Sequence, residues 1–347
     1  MAITGSSDFV THLEYIVLSL LFTLILSSLA TRLRNQSLPI DDQVKCLSRG
    51  YVWLAMISIV GVLLTFVLLQ CGFSHSALIE ADILNANIED GADYVWSFLS
   101  VVSQSIAIRV PFFQEYGFLC GLYHEPHILA YNVFPCILYL LGQTNKAFHR
   151  IGLILLSIVF VLFCGSTTNL IALLGCLVVW AFLSIRHHPI YVLLGISFIV
   201  GIVLWYISYD DTLSLVVINR ITDSSNVSSE ASRNLLKFAF TPKTLFGTNM
   251  FSSSMMWQTI NNEDVGYIPF IMNIFFLFFY IRNIVILLFA KEKNSKAVGY
   301  ASLYFLLHSA KMGMLMYKSY LLLFFVFLQT IIIEHYGRVS TSRKSIS

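Results

Sequence analysis

Hydrophobic residues occur in long blocks, and the polar residues gather between them. A helix that crosses a bilayer needs about 20 mostly apolar residues. A shorter apolar segment, 96–108, predicts an interfacial or re-entrant piece, or the start of a further span. The pattern predicts an all-α polytopic membrane protein, a bundle of about 9–11 transmembrane helices in one integral membrane domain over residues 1–347. Nine runs come close to the 20 residues that a membrane-spanning helix needs; they lie at about 10–30, 51–70, 127–142, 151–165, 168–185, 190–207, 266–289, 297–310 and 314–333.

The composition excludes several other classes of protein. Apolar residues make up 57% of the chain and charged residues only 12%, and the mean hydropathy is +0.77. Soluble proteins carry about 25% charged residues, so a soluble enzyme and a disordered chain are both excluded. The 21 basic and 19 acidic residues give a net charge of +2, which is too balanced for a nucleic-acid-binding surface. Membrane lipids are the expected surroundings, and no nucleic acid is expected as a partner.

The distribution of Lys and Arg predicts the orientation of the chain. Loops rich in these residues stay on the cytoplasmic side. The N-terminus is therefore expected outside and the C-terminus inside, and the long connections 71–126 and 208–265 face outward. No Gly-x-x-x-x-Gly-Lys-Ser/Thr phosphate loop occurs, which argues against ATP-driven transport by this chain alone. Any chemistry is expected outside the cytoplasm, on a substrate that arrives already activated. The basic connections are 31–50, 143–150, 186–189 and 291–296, together with the C-terminal tail.

A first group of polar residues precedes the span that starts near residue 127. Pro126 fits the first turn of a helix, which places Glu125 at or just before a helix N-terminus. The helix dipole favours a carboxylate there, so Glu125 is either a capping residue or a base held near the membrane surface. His124 and His127 have the spacing of a His-x-x-His metal pair, but two histidines without further acidic or Cys ligands make a weak motif, so no metal site is expected. Arg109 follows the apolar segment 96–108.

The second group lies in the outer connection 208–265, which is expected to carry short amphipathic helices. Arg233 and Lys237 are four residues apart and share one helix face. Two cations at head-group depth suit a diphosphate, which Arg grips through two parallel hydrogen bonds; the alternative is contact with phospholipid head groups. Arg220 is a further cation in this connection. Asp264 stands where the next span begins, as a reserve base or a polar loop end.

A third group lies between the last two apolar runs. Ionisable groups at such positions are costly and usually line a polar cavity, although long side chains also reach lipid head groups. The sequence therefore predicts that these residues lie on the wall of a cavity that opens outward between the connection 208–265 and the helix start at Glu125. The group consists of His308, Lys311, Tyr317 and Lys318.

Taken in order, these motifs resemble the O-antigen polymerase branch of the O-antigen ligase and polymerase superfamily over about residues 100–335. The Gly-Ser segment lacks the arginine that is often found in relatives, and Thr168-Asn169 stand in its place. The matching residues are Gly121, Glu125 and Pro126, the Gly-Ser segment 165–169, Ser232-Arg233, Pro242 with Gly247, and residues 264–267.

The resemblance implies a membrane glycosyltransferase of the bacterial inner membrane that needs no metal, nucleotide or other cofactor and faces the periplasm. Its substrate would be an undecaprenyl-diphosphate-linked oligosaccharide, whose glycan is transferred onto the sugar of another lipid-linked repeat unit. A chain-length-regulating co-polymerase is the expected protein partner. The candidate catalytic residues are Glu125, Arg233 and Asp264. The candidate substrate-binding residues are Arg109, His124, His127, Arg220, Lys237, His308, Lys311, Tyr317 and Lys318.

Two other functions remain open. One is an O-antigen ligase that transfers glycan to the lipid A core, but the Asn261-Asn262 pair stands where ligases often have His-Asn. The other is a non-enzymatic flippase for lipid-linked oligosaccharides. Flippases normally have around a dozen or more spans and repeated halves, and this sequence has neither.

Overall fold

The fold is mostly helical in a computed structural model that describes residues 6–35, 38–73, 77–79, 94–103, 118–123, 126–164, 167–184, 270–312 and 320–344. Within these ranges there are eight α-helices and four short strands. The helices are α1 (Ser6–Asn35), α2 (Ile40–Gln70), α3 (Pro126–Gln143), α4 (Ala147–Cys164), α5 (Thr167–Ser184), α6 (Phe270–Leu288), α7 (Lys293–Met312) and α8 (Tyr320–Lys344). The strands are β1 (Ala77–Ile79), β2 (Tyr94–Ser97), β3 (Ser100–Ser103) and β4 (Phe118–Gly121).

The eight helices coincide with eight of the nine apolar runs. The ninth run, 190–207, and the long connection 208–265 lie outside the described residues. Among the described helices one, α2, is long and apolar enough by length and composition to cross a membrane. Shorter apolar stretches lie in α3, α4, α5, α6 and α8. The predicted helical bundle is therefore confirmed in these ranges as a helical fold.

Helices α3 and α7 form the centre of the bundle. A Cβ atom on Gly142 of α3 would lie only 2.7 Å from the Cα atom of Ala297 in α7, so the two backbones nearly touch there. Helix α7 also packs against α2, α5, α6 and α8, and α3 packs against α2, α4 and α5. The fully buried side chains Phe134 of α3 and Phe325 of α8 are part of the same continuous core.

A small antiparallel sheet, with strand order β1-β2-β3-β4, packs against the bundle and was not predicted. Strands β2 and β3 cover the start of the segment 96–108, so its described part, up to residue 103, is a strand, a tight turn and a strand rather than the beginning of a helix. Phe98 adopts φ +52° in that turn. Thr65 of α2 donates to the carbonyl of Ser97 and accepts from the N–H of Leu99, which fixes the turn on the helix.

The distribution of polar and apolar side chains is unusual for a protein in water. Large apolar side chains are exposed on six of the described helices, while several polar side chains are buried between the helices. The exposed residues include Leu24, Ile57, Leu155, Ile171 and Phe278. The buried polar residues include Ser58, Thr65, Asn169, Ser302, His308 and Gln329.

Candidate functional site

The structure describes only part of the predicted site. His308 is described in full, and its side chain is buried. His127 and Lys311 lie on α3 and α7, but their side chains fall outside the described part. The remaining candidates lie outside the described residues: Arg109, His124, Glu125, Arg220, Arg233, Lys237, Asp264, Tyr317 and Lys318.

Helix α3 begins at Pro126, where the sequence predicts a helix start. The chain arrives there from β4 through a tight turn, in which the N–H of Tyr123 donates to the carbonyl of Cys120 over 3.1 Å. Gly121 adopts φ +63°, and a Cβ atom at this position would lie 3.0 Å from Leu129 of α3. A glycine is required here both for the left-handed backbone and for the close approach. The turn therefore packs Gly121 against Leu129 near the start of α3.

The start of α3 is recessed relative to the corresponding end of α2. At 1.5 Å per residue, the 31 residues of α2 span about 46 Å and the 18 residues of α3 about 27 Å. Their other ends are level, because Asn294 accepts from Gln143 (2.7 Å) and donates to the carbonyl of Asp41 (3.1 Å). The hydroxyl of Tyr123, which precedes α3, contacts Ser58 of α2. Ser58 lies about 18 Å from the C-terminal end of α2, so α3 starts about that far below this end.

An aromatic group surrounds His308 near the recessed end of α3. The ring of Tyr131 from α3 lies 4.9 Å from the His308 ring, centroid to centroid, in an edge-to-face arrangement. The ring of Tyr304, one helical turn earlier on α7, stacks on His308 at 5.9 Å with an interplanar angle of 29°. Phe305 lies 5.0 Å from Tyr131. Two aromatic rings from two helices thus hold the imidazole plane.

Asn169 connects this group to α5. The hydroxyl of Tyr304 donates a hydrogen bond to Oδ1 of Asn169, and both side chains are buried. Asn169 lies in the first turn of α5 and is the last residue of the Gly-Ser segment 165–169. The ends of three helices therefore meet: the start of α3 after Glu125, the start of α5, and the part of α7 that carries His308.

Sequence reasoning found His308 and the motif that contains Asn169, but it missed Tyr131 and Tyr304. The spacing of Tyr304 and His308, four residues on one helix, was an available signal, since such residues face the same side. Nothing local in the sequence marks Tyr131 as their neighbour. The arrangement brings hydrogen-bonding groups and aromatic rings together in an otherwise apolar interior.

A second polar cluster lies at the opposite end of α3 and α7. The hydroxyl of Tyr336 on α8 donates to the carboxylate of Glu292, and its oxygen lies 3.1 Å from Oγ of Ser295. The hydrogen bond from Tyr336 holds the pKa of Glu292 below its usual value. Burial, reinforced by the Glu292 carboxylate, raises the pKa of Tyr336 to about 12. Both groups lie beyond the apolar runs 266–289 and 314–333, on the end where the sequence predicts the cytoplasm.

No family model, curated protein or solved structure matches this chain. Within the described ranges, no group of three or more His, Cys, Asp and Glu side chains is placed to hold a metal ion.

Proposed function

We propose that this protein is a polytopic glycosyltransferase of the bacterial inner membrane. It polymerises undecaprenyl-diphosphate-linked repeat units of O-antigen, or of a related surface polysaccharide, at the periplasmic face. The observation that carries the proposal is the meeting of three separate sequence motifs at one end of the bundle. The helix start after Glu125, the Gly-Ser segment with Asn169, and His308 are far apart in sequence, but the structure brings their described parts together.

The outward apolar faces support the membrane part of the proposal. Leu24, Ile57 and Phe278 are each more than half exposed on three different helices. Monomeric soluble proteins rarely expose large contiguous apolar patches. A lipid environment solvates such faces without cost, and it also explains why polar side chains are turned inward.

The proposed reaction needs a base and cationic groups but no metal. A hydroxyl of the acceptor sugar attacks the anomeric carbon of the donor glycan and loses its proton to Glu125, with Asp264 as the reserve base. The bond from that carbon to the diphosphate breaks, and undecaprenyl diphosphate leaves with the electron pair. Arg233, assisted by Lys237 and by Arg109 or Arg220, stabilises the departing charge.

The remaining candidates belong to substrate binding in this proposal. In this proposal His308, which packs against Tyr131 of α3, contacts the lipid-linked substrate. Lys311, Tyr317, Lys318, His124 and His127 complete the proposed cavity wall. A co-polymerase partner would regulate chain length.

The test is the glycan made by a strain that lacks this protein, followed by reconstitution. Loss of a polymerase leaves the lipid A core capped with a single repeat unit, and purified protein extends synthetic lipid-linked repeat units in vitro. Long chains stranded on undecaprenyl diphosphate would indicate a ligase instead. Single units retained on the cytoplasmic face would indicate a flippase. Either of those results would overturn the proposal.

A further inference from the structure

The proposed reaction gives no role to Tyr304, although this residue lies between two of the motifs in the candidate site. Its side chain is fully buried on α7, between Asn169 of α5 on one side and His308 on the other. The hydrogen bond to Asn169 fixes the direction of the phenol, because the hydroxyl lies in the plane of the ring. The orientation of the Tyr304 ring is therefore set from α5, not only by its own helix.

The ring of Tyr304 in turn limits the orientation of His308. The two rings are stacked with only 29° between their planes, and Tyr131 packs against His308 with its ring at 65° to the imidazole. An imidazole held by a stacked ring on one face and by an edge-to-face ring from another helix keeps little rotational freedom. Aromatic pairs in these arrangements are favourable beyond the area that they bury.

We infer that Tyr304, tethered to Asn169, and Tyr131 are positioning residues that hold the His308 ring in the orientation in which it binds the lipid-linked substrate. The inference rests on the proposed function and adds to it three residues that act through His308. It also gives Asn169 a role: it accepts the hydrogen bond from the Tyr304 hydroxyl and anchors the positioning residues to the start of α5.

The test measures binding, so that inactive variants remain informative. The probe is a lipid-linked repeat unit isolated from a source strain that lacks this protein, and its Kd is measured on protein in lipid nanodiscs. We expect His308→Gln and Tyr304→Phe each to weaken binding about tenfold, the size expected for one well-placed polar contact. In the His308→Gln background, Tyr304→Phe should add less than about twofold, because residues that act through one group are not additive.

The matched control is Tyr280→Phe. Tyr280 is also buried, on α6, and its hydroxyl donates to the carbonyl of Ser302 on α7 over 3.0 Å. This variant should bind the repeat unit as wild type does. If Tyr304→Phe does not fold, Asn169→Leu breaks the same hydrogen bond from the other side and should give the same loss.

The outcomes separate the inference from the proposed function. Wild-type protein that neither binds nor extends the repeat unit would overturn the proposed function. If wild-type protein does both, three results would each show that the positioning role is wrong. In the first, Tyr304→Phe and Asn169→Leu bind the repeat unit normally. In the second, Tyr304→Phe still weakens binding tenfold in the His308→Gln background, and in the third Tyr280→Phe weakens binding as much as Tyr304→Phe does. Normal binding by His308→Gln also overturns it.

Discussion

Three tyrosines, two of them buried and one partly buried, join helices that are far apart in sequence. Tyr304 bonds to Asn169, Tyr139 to Ser48, and Tyr51 to the carbonyl of Asn132, with 135, 91 and 81 residues between partners. A buried hydroxyl without a partner costs about 1–3 kcal/mol, so each pair favours one alignment of its two helices. The sequence shows the tyrosines but not their partners, since nothing local links residues so far apart. This is why the hydrogen bond between Tyr304 and Asn169 could not be predicted from the sequence, although the four-residue spacing of Tyr304 and His308 is visible there.

Glu125 provides the first prediction at this scale. If it is the base, Glu125→Gln should abolish polymer formation while binding of the lipid-linked donor stays intact, because glutamine cannot accept the proton. A capping residue would tolerate both Glu125→Gln and Glu125→Asp, since either side chain still accepts a backbone hydrogen bond. The measurement is in vitro extension of lipid-linked repeat units. Activity of Glu125→Gln within a few-fold of wild type would transfer the role to Asp264 or remove it.

The Tyr336–Glu292 hydrogen bond predicts a pH dependence of stability. The pKa of Glu292 is lower in the folded protein than its usual value of 4.5, so folding favours the ionised carboxylate. Its contribution is complete above about pH 4.5 and is lost as the pH falls through the lower folded pKa. Tyr336→Phe should therefore destabilise the protein near pH 7 by about 0.5–1 kcal/mol, a value reduced by solvent screening.

Thermal unfolding in detergent from pH 7 to pH 3 measures this effect. The difference between wild type and Tyr336→Phe should shrink towards zero as Glu292 becomes protonated in both. Glu292→Gln serves as the control, because it keeps an acceptor but cannot titrate. A constant difference between the two proteins across the whole pH range would contradict the assignment.

At the scale of elements, apolar runs predicted where helices lie but not where all of them begin. The run 127–142 matches α3, Pro126–Gln143, nearly residue for residue. Helix α2 instead starts at Ile40, well before the run 51–70. Its first turn carries Asp41 and Asp42, so the apolar run does not include it. These carboxylates favour a helix N-terminus but lower the hydropathy. A search for apolar runs detects the membrane-compatible part of a helix and misses its polar extension.

The sheet escaped prediction for a different physical reason. Its four strands are three or four residues long, shorter than the apolar runs that drew attention. Segment 96–108 is apolar enough to suggest a membrane piece, but its described part is folded back by the turn at Phe98. Contacts from Thr65 and Gly61 of α2, which lie 30 or more residues away, hold that turn. Tertiary context, not local propensity, decides such short strands.

The close crossing of α3 and α7 predicts that alanine substitutions at two glycines have different effects on stability. A Cβ atom at Gly142 would collide with the backbone of Ala297 at 2.7 Å, so Gly142→Ala must push the two central helices apart. We expect a loss of about 1–3 kcal/mol, as for other overpacked cores. Gly152 on α4 has nothing within 4 Å, and Gly152→Ala should leave stability unchanged or raise it by up to about 1 kcal/mol. Equal melting temperatures for both variants would contradict this packing.

Helix α2 carries its own reporters of orientation. Cys46 and Cys71 are both exposed, near opposite ends of the helix, and about 38 Å of helix separates them. In proteins that retain only one of these cysteines, a membrane-impermeant maleimide should label Cys71 in intact spheroplasts and Cys46 only after lysis. The expected direction follows from the basic residues in 31–50. The opposite pattern would invert the proposed topology and move the candidate site to the cytoplasmic face.

At the scale of the whole molecule, the different lengths of α2 and α3 place the candidate site below the outer end of α2. If α2 crosses the membrane, the start of α3 lies level with Ser58, about 18 Å inside the outer end of α2. Strands and turns at such a depth are tolerated only where they are buried in protein or line a water-filled cavity. The sheet is packed on α2, α3 and α4, so it meets the first condition on that side. The proposed active site would then be a recess that opens outward, not a flat surface patch.

The recess can be tested with thiol reagents of different size. Leu122, in the turn before α3, and Val60, on the outer face of α2, are each about half exposed and lie at similar depth. In the proposed arrangement Leu122 faces the aqueous recess and Val60 faces lipid. A small charged methanethiosulfonate added outside should therefore modify Leu122→Cys but not Val60→Cys, since thiolates are rare in lipid and the reagent does not enter it.

A maleimide on a long polymer should modify Cys71 at the outer end of α2 and fail to reach Leu122→Cys. Rapid reaction of Val60→Cys would show that α2 is not covered by lipid at this level, and equal access of both reagents to Leu122→Cys would show a surface site without a recess.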